Sequence, residues 1–156
     1  MKTLLFALFL ALSLPAAADD GLLKVVLKAD KGEVALGDSV ECSLMFYTTL
    51  NVRDIEYIKS FRADNAKWRK IDADTLELRL DSCDGRRVHS VELARYVLRP
   101  LKPGYITAKP VKIAVSYVTV KPDADPFEAF FEGDGAYEKH YRQLSTDGLS
   151  IKVIDD

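Results

Sequence analysis

Apolar and polar residues alternate with a period of two through most of this chain, and a helical period is nearly absent. In residues 39–47, Val40, Cys42, Leu44 and Phe46 share one parity, with Glu41, Ser43 and Tyr47 on the other. Residues 75–81 repeat the pattern, with Leu76, Leu78 and Leu80 against Glu77, Arg79 and Asp81. Side chains of a strand point to opposite faces in turn, so each run predicts a strand with one face toward a core. Residues 22–28, 54–61 and 149–154 read as further strands, and Trp68 with Ile71 marks a short strand with one buried aromatic.

The punctuation between these runs is turn chemistry. Asp84-Gly85 tolerates positive φ at both positions and predicts a tight hairpin into a return strand over 87–98. The apolar phase of that return strand slips between Leu93 and Tyr96, which predicts a bulge or a strand that changes face. Pro103-Gly104 marks the next turn, and Pro110 an edge or break within 106–120. Gly32 and Gly37 bracket a loop or kinked edge. Seven or eight short strands at turn-marked intervals predict an all-β sandwich. A chain of 156 residues suffices for one such domain.

The first residues read as a targeting signal. Lys2 precedes an unbroken apolar run over 4–12, and Ala16, Ala17 and Ala18 supply small residues for a cut after Ala18. The run is shorter than the roughly 20 residues that span a bilayer. The alternative is an uncleaved anchor. Residues 1–18 are therefore expected to be a cleaved signal peptide and 19–156 the folded domain, free in the periplasm or secreted. No later stretch is long and apolar enough to span.

The net charge of -2 supplies no basic footprint for nucleic acid or an anionic membrane. Of the chemistry-bearing residues, His89 and His140 lack zinc spacing, and neither CxxC, GxSxG nor a Gly-rich phosphate loop occurs. Asp123, Asp125, Glu128, Glu132 and Asp134 supply oxygen ligands suited to calcium, but their spacing fits no calcium loop, and a solvated acidic loop is the plainer reading. In an oxidising compartment Cys42 and Cys83 form a candidate disulfide. Parity turns Cys42 inward and Cys83 outward, which leaves a bridge and two separate thiols both open.

Residues 123–135 read DADPFEAFFEGDG. Asp125 suits an N-cap, Pro126 a first helical position, and Glu128 completes a capping pattern, so a short helix is predicted over 125–132. On it Phe127, Phe130 and Phe131 share one face. That face either covers the domain's own sandwich or docks on a partner.

Three stretches carry a family resemblance. They are GEVALGDSVECSLMFYT followed by NVRDIEYI, then DGRRVHSVELARYVLRPLKPGYITAKPVKI, and then DPFEAFF ahead of LSIKV. Together they resemble the first domain of the BatD or "oxygen tolerance" proteins, with Arg95, Tyr96, Leu98, Pro100, Lys102 and Gly104 matching the family's Arg-Tyr-x-Leu-x-Pro and Lys-x-Gly runs. The resemblance covers about residues 22–154. It implies an immunoglobulin-like antiparallel β-sandwich, exported, without enzyme activity and without cofactor, acting as a protein-interaction module. It further implies von Willebrand factor A-domain membrane proteins as partners, while the apolar face of the short helix makes Asp125, Pro126, Phe127, Phe130 and Phe131 the candidate partner-binding residues. The competing readings are a calcium-binding envelope protein, a small envelope enzyme, and a remnant of a longer BatD-like chain.

Overall fold

The computed structural model describes residues 21–71, 77–120 and 137–155. The twelve strands among them are β1 (Leu23–Ala29), β2 (Glu33–Ala35), β3 (Val40–Thr48), β4 (Asn51–Lys59), β5 (Ala63–Asp64), β6 (Ala66–Ile71), β7 (Arg79–Cys83), β8 (Arg86–Pro100), β9 (Gly104–Ala108), β10 (Lys112–Val120), β11 (Tyr137–Ser145) and β12 (Leu149–Ile154). The described residues contain no helix. The signal peptide expected over 1–18 and the helix expected over 125–132 lie outside the described residues, as does the Phe127, Phe130 and Phe131 face.

One sheet has the order β1-β3-β8-β6, with β7 also paired to β8. Two smaller sheets run β11-β10-β4 and β2-β12-β9-β5. These two are halves of one creased layer, because three strand lines pass from one to the other. β4 continues into β5 through residues 60–62, β10 follows β9 through 109–111, and β11 leads into β12 through 146–148. The crease is tied by Lys109 N donating to Arg62 O at 2.8 Å and Thr146 N to Val111 O at 2.9 Å. Val111 N donates in turn to Thr146 Oγ1 at 3.0 Å. Gly148 is required there, since a Cβ would lie 2.8 Å from the Ala108 carbonyl oxygen. All pairings are antiparallel except β2 with β12, which is parallel.

The two layers close over a single core, which makes a β-sandwich. Leu23, Val25 and Leu27 of β1 and Val40, Cys42, Leu44 and Phe46 of β3 face Ile113 and Val115 of β10, Ile106 of β9, and Ile151 and Val153 of β12. Alternation therefore built the strands it predicted. The bulge also falls where the phase slipped: Leu44 pairs Ala94 while Met45 pairs Glu92, so Leu93 is the extra residue. It turns Val91 inward on one side and Ala94, Tyr96 and Leu98 inward on the other. The β7–β8 hairpin turns on Asp84 and Gly85 with φ of 53° and 80°.

One expectation is overturned. Leu78 and Leu80 were read as core-facing, but they are 67% and 66% exposed, and the strand begins only at Arg79. β7 pairs solely with the first part of β8, from Arg79 opposite Ser90 to Cys83 opposite Arg86. β3 runs out at Thr48 opposite His89, so β8 and β7 continue past the end of the β3 pairing, and the Leu78 and Leu80 side chains stay in solvent. Alternation says that one face is apolar; it does not say that anything covers it. Trp68, expected to be buried, is 40% exposed at the β6 edge.

Candidate functional site

β7 lies at the border of the five-stranded sheet, and β8 is its one partner strand among the described residues. Leu80 on β7 and Leu78 just before its first residue are both largely exposed there. A bordering strand offers unpaired backbone groups as well as side chains, and a partner strand can use both.

The tip of the same hairpin reaches across the outer face of the sheet to β1. Asp84 Oδ2 lies 3.5 Å from Lys24 Nζ. Beside it, Lys28 Nζ donates to the Tyr47 hydroxyl at 2.7 Å and stands 5.4 Å from the Tyr47 ring centroid. That hydrogen bond, ahead of the opposing effect of burial, raises the Lys28 pKa, and the nearby Tyr47, Asp81 and Cys83 add to the rise. Tyr47 and Val88 are buried although both belong to the outward parity, so the hairpin shields this part of the outer face.

Next to it a polar hollow of about 240 Å³ is lined by Met45, Arg79, Ser90, Glu92 and Arg95 among others. Arg95 clasps Glu92 through two hydrogen bonds, Nη2 to Oε1 at 3.0 Å and Nε to Oε2 at 3.3 Å. Burial works against the Glu92 charge, yet hydrogen bonds from Ser43 and Arg95 outweigh it and hold the carboxyl below its usual range. The hollow is smaller than the roughly 300–1,000 Å³ of small-molecule sites, and its charges satisfy each other.

His140 Nε2 and Thr119 Oγ1 are 2.9 Å apart, and the imidazole stacks on Tyr117 at 5.0 Å. A hydroxyl bonded to an imidazole is half of a nucleophile–base arrangement. No carboxylate orients the ring among the described residues, so the pair reads as a cross-strand contact between β10 and β11. His89 sits exposed on β8. No three His, Cys, Asp or Glu side chains among the described residues gather as a metal site, and the acidic set from Asp123 to Asp134 lies outside them.

Cys42 and Cys83 are both free thiols, not a bridge. Cys42 pairs with Tyr96 and Cys83 with Arg86 on the same strand β8, ten residues apart (96 minus 86). Their register partners thus lie at separate levels of β8, and neither thiol is bonded to the other. Burial, then the charge of Asp30, pushes the Cys42 thiol up to about 11. Burial and then Asp84 raise Cys83 as well, although its side chain is partly accessible. Native protein at pH 8 is expected to take up one equivalent of a thiol reagent, slowly and at Cys83, and two after unfolding in urea. Two equivalents in the native state would contradict this burial of Cys42.

Asp125, Pro126, Phe127, Phe130 and Phe131 lie outside the described residues. β10 and β11 are paired out to Val120 opposite Tyr137, so residues 121–136 join two neighbouring strand ends. Arg53 and Asp54 lie within β4, where Asp54 Oδ1 accepts from Ile55 N at 3.0 Å. The exposed leucines were named in the sequence but assigned to the core; the shielding of Tyr47 by the hairpin had no sequence signal. No helix of the described residues is long and apolar enough to cross a membrane. Compared with family models, with curated proteins and with solved structures, the chain finds no match.

Proposed function

We propose that this chain is an immunoglobulin-like, exported, non-enzymatic protein-binding module of the BatD type, and that it takes its partner at the β7 edge. The observation that carries the binding surface is the exposure of Leu80 on the bordering strand β7 and of Leu78 at the start of that strand. A small domain gains from burying such side chains, about 1.5–3 kcal/mol each. Leaving both in water on a strand with few partners is the arrangement that strand addition or a flat apolar contact uses.

The strand order supports the immunoglobulin-like assignment. The order β1-β3-β8-β6 opposite β4-β10-β11 is consistent with the A-B-E-D and C-F-G sheets of such a sandwich. The motifs that resemble BatD proteins fall on β2 through β4, on β8 through β10 and on β12, with DPFEAFF outside the described residues. By that resemblance the partners are von Willebrand factor A-domain membrane proteins of the same envelope, and the setting is the periplasm.

The test replaces both leucines, as L78S/L80S. Exposed positions predict an unfolding midpoint close to that of the parent. Capture of a von Willebrand A-domain protein from solubilised envelope, identified by mass spectrometry, is expected with the parent chain and lost with the variant. Capture undiminished by the substitutions removes the β7 edge from the proposal, and turnover of a substrate by pure protein removes the non-enzymatic reading.

A further inference from the structure

The crease of the second layer carries an arrangement that folding does not call for. Lys59 of β4 stands directly opposite Lys112 of β10 in the ladder. One step across the crease, Ala63 pairs Ala108, and Arg62 O accepts the Lys109 N–H, so Arg62 and Lys109 also face each other. Two like-charged pairs thus flank the break in the same two strand lines. Like charges directly opposite in a sheet destabilise it, and the packing at this level is already supplied from the other parity by Phe61 and Val111, both buried.

All four cations border one open cleft of about 700 Å³, together with Ser60, Pro110 and Ser145. Only Lys109 has a carboxylate partner among the described residues, Asp64 at 3.2 Å, itself largely exposed. Lys59, Arg62 and Lys112 make no ion pair there, which leaves three uncompensated positive charges on one concave surface. Pro110 holds the strand open at its centre, since it has no N–H to give the ladder. The net charge of the whole chain is -2, so this concentration of positive charge is local.

We infer that the crease is a binding site for a compact anion bearing two phosphate groups, held by Lys59, Arg62 and Lys112. Two phosphates carry roughly three to four negative charges near neutral pH, which matches the unpaired charge. Arg62 offers a planar fork suited to two phosphate oxygens, and the two lysines act as adjustable point charges. The site lies on the second layer and does not depend on the leucine edge, so it stands or falls separately from the protein-binding proposal. A free diphosphate carries that charge, and cardiolipin presents the same paired phosphates as two diesters with about two negative charges in all.

The experiment titrates pyrophosphate into the purified protein by calorimetry at low and at physiological salt. In parallel it sediments the protein with phosphatidylcholine vesicles with and without cardiolipin. K59A/K112A is the main variant. Removing two facing like charges is expected to leave the unfolding midpoint unchanged or raised. Arg62→Ala, an exposed position, is the second variant should the first fail to fold. The expected result is saturable binding with a Kd below about 1 mM that weakens at least about tenfold in either variant and falls with salt. If pyrophosphate binds, the ligand is a free diphosphate; if only the cardiolipin vesicles bind, it is a lipid headgroup. No binding of either probe, or binding that both variants retain, overturns the inference.

Discussion

Phe61→Ala is expected to cost about 3–5 kcal/mol of folding stability, a large share of the roughly 5–15 kcal/mol that holds a domain of this size together. Phe61 sits between β4 and β5, at the crease, and is 1% exposed. Its ring stacks on Tyr96 of the opposite layer with centroids 4.0 Å apart and 12° between planes. Trp68 meets it edge-on at 5.0 Å, and Trp68 approaches Tyr96 the same way at 6.0 Å. One side chain therefore joins the crease of one layer to β6 and β8 of the other. Truncation leaves a cavity that three separate strands would have to move to fill. With a urea slope of about 1–3 kcal/mol/M, the midpoint should fall by roughly 2 M. Trp68 is the single tryptophan, so its emission reports directly on this cluster. The exposed Ile58→Ala serves as the comparison and should change stability by less than about 1 kcal/mol. Equal effects from the two substitutions would mean that the cluster does not join the layers.

The same residues show what alternation can and cannot announce. β3 was legible because both its neighbours, β1 and β8, and the layer above it demand one apolar parity. β7 carries an equally clean pattern, but it lies where β8 outruns β3, and a period says nothing about the reach of the opposite layer. β11 was missed for the converse reason. Its sequence, YEKHYRQLS, is polar on both faces, since it borders the layer and its backbone pairs with β10 from Val120 to Lys112. Strand pairing there rests on the backbone, which leaves no mark on composition.

Breaks in strands were read singly and not in concert. Pro110 announced one of them, because proline cannot donate to a ladder. Gly148 and residues 60–62 form the other two at the same level, and only the paired structure reveals that they coincide. The cationic crease was hidden likewise: Lys59 and Lys112 are far apart in sequence, and their confrontation exists only in the register of β4 with β10. Asn65 is a further case. It turns the chain between β5 and β6 with φ of 66°, and its Nδ2 donates to the carbonyls of Lys102 and Tyr105 at 2.9 and 3.2 Å. Asparagine tolerates that φ better than most residues, but nothing local to it names its distant acceptors.

Alkaline solution is expected to unfold this domain through two core residues that face each other. Cys42 and Tyr96 are register partners on β3 and β8, both buried. Burial raises the Cys42 thiol from 9.0 to about 11. Burial, with a smaller effect of Tyr57, raises the Tyr96 phenol from 10.0 to about 12. In the unfolded chain both groups lose their protons at the lower values. Between pH 9 and about 11 the folded state therefore holds a proton on Cys42 that the unfolded state has released, and stability falls as pH rises. Tyr96 adds the same effect between pH 10 and about 12. Each such shift corresponds to roughly 3 kcal/mol, so the pair removes about 5 kcal/mol by the upper limit, and nothing below pH 9. The variant C42V/Y96F puts apolar side chains of similar size at both positions and deletes both titrating protons. Urea unfolding at half-unit steps from pH 8 to 12 should show a steep loss in the parent and a loss smaller by about 5 kcal/mol in the variant. Parallel curves would place the alkaline transition elsewhere, in the exposed lysines and tyrosines, and would mean that water reaches the β3–β8 pair in the folded state.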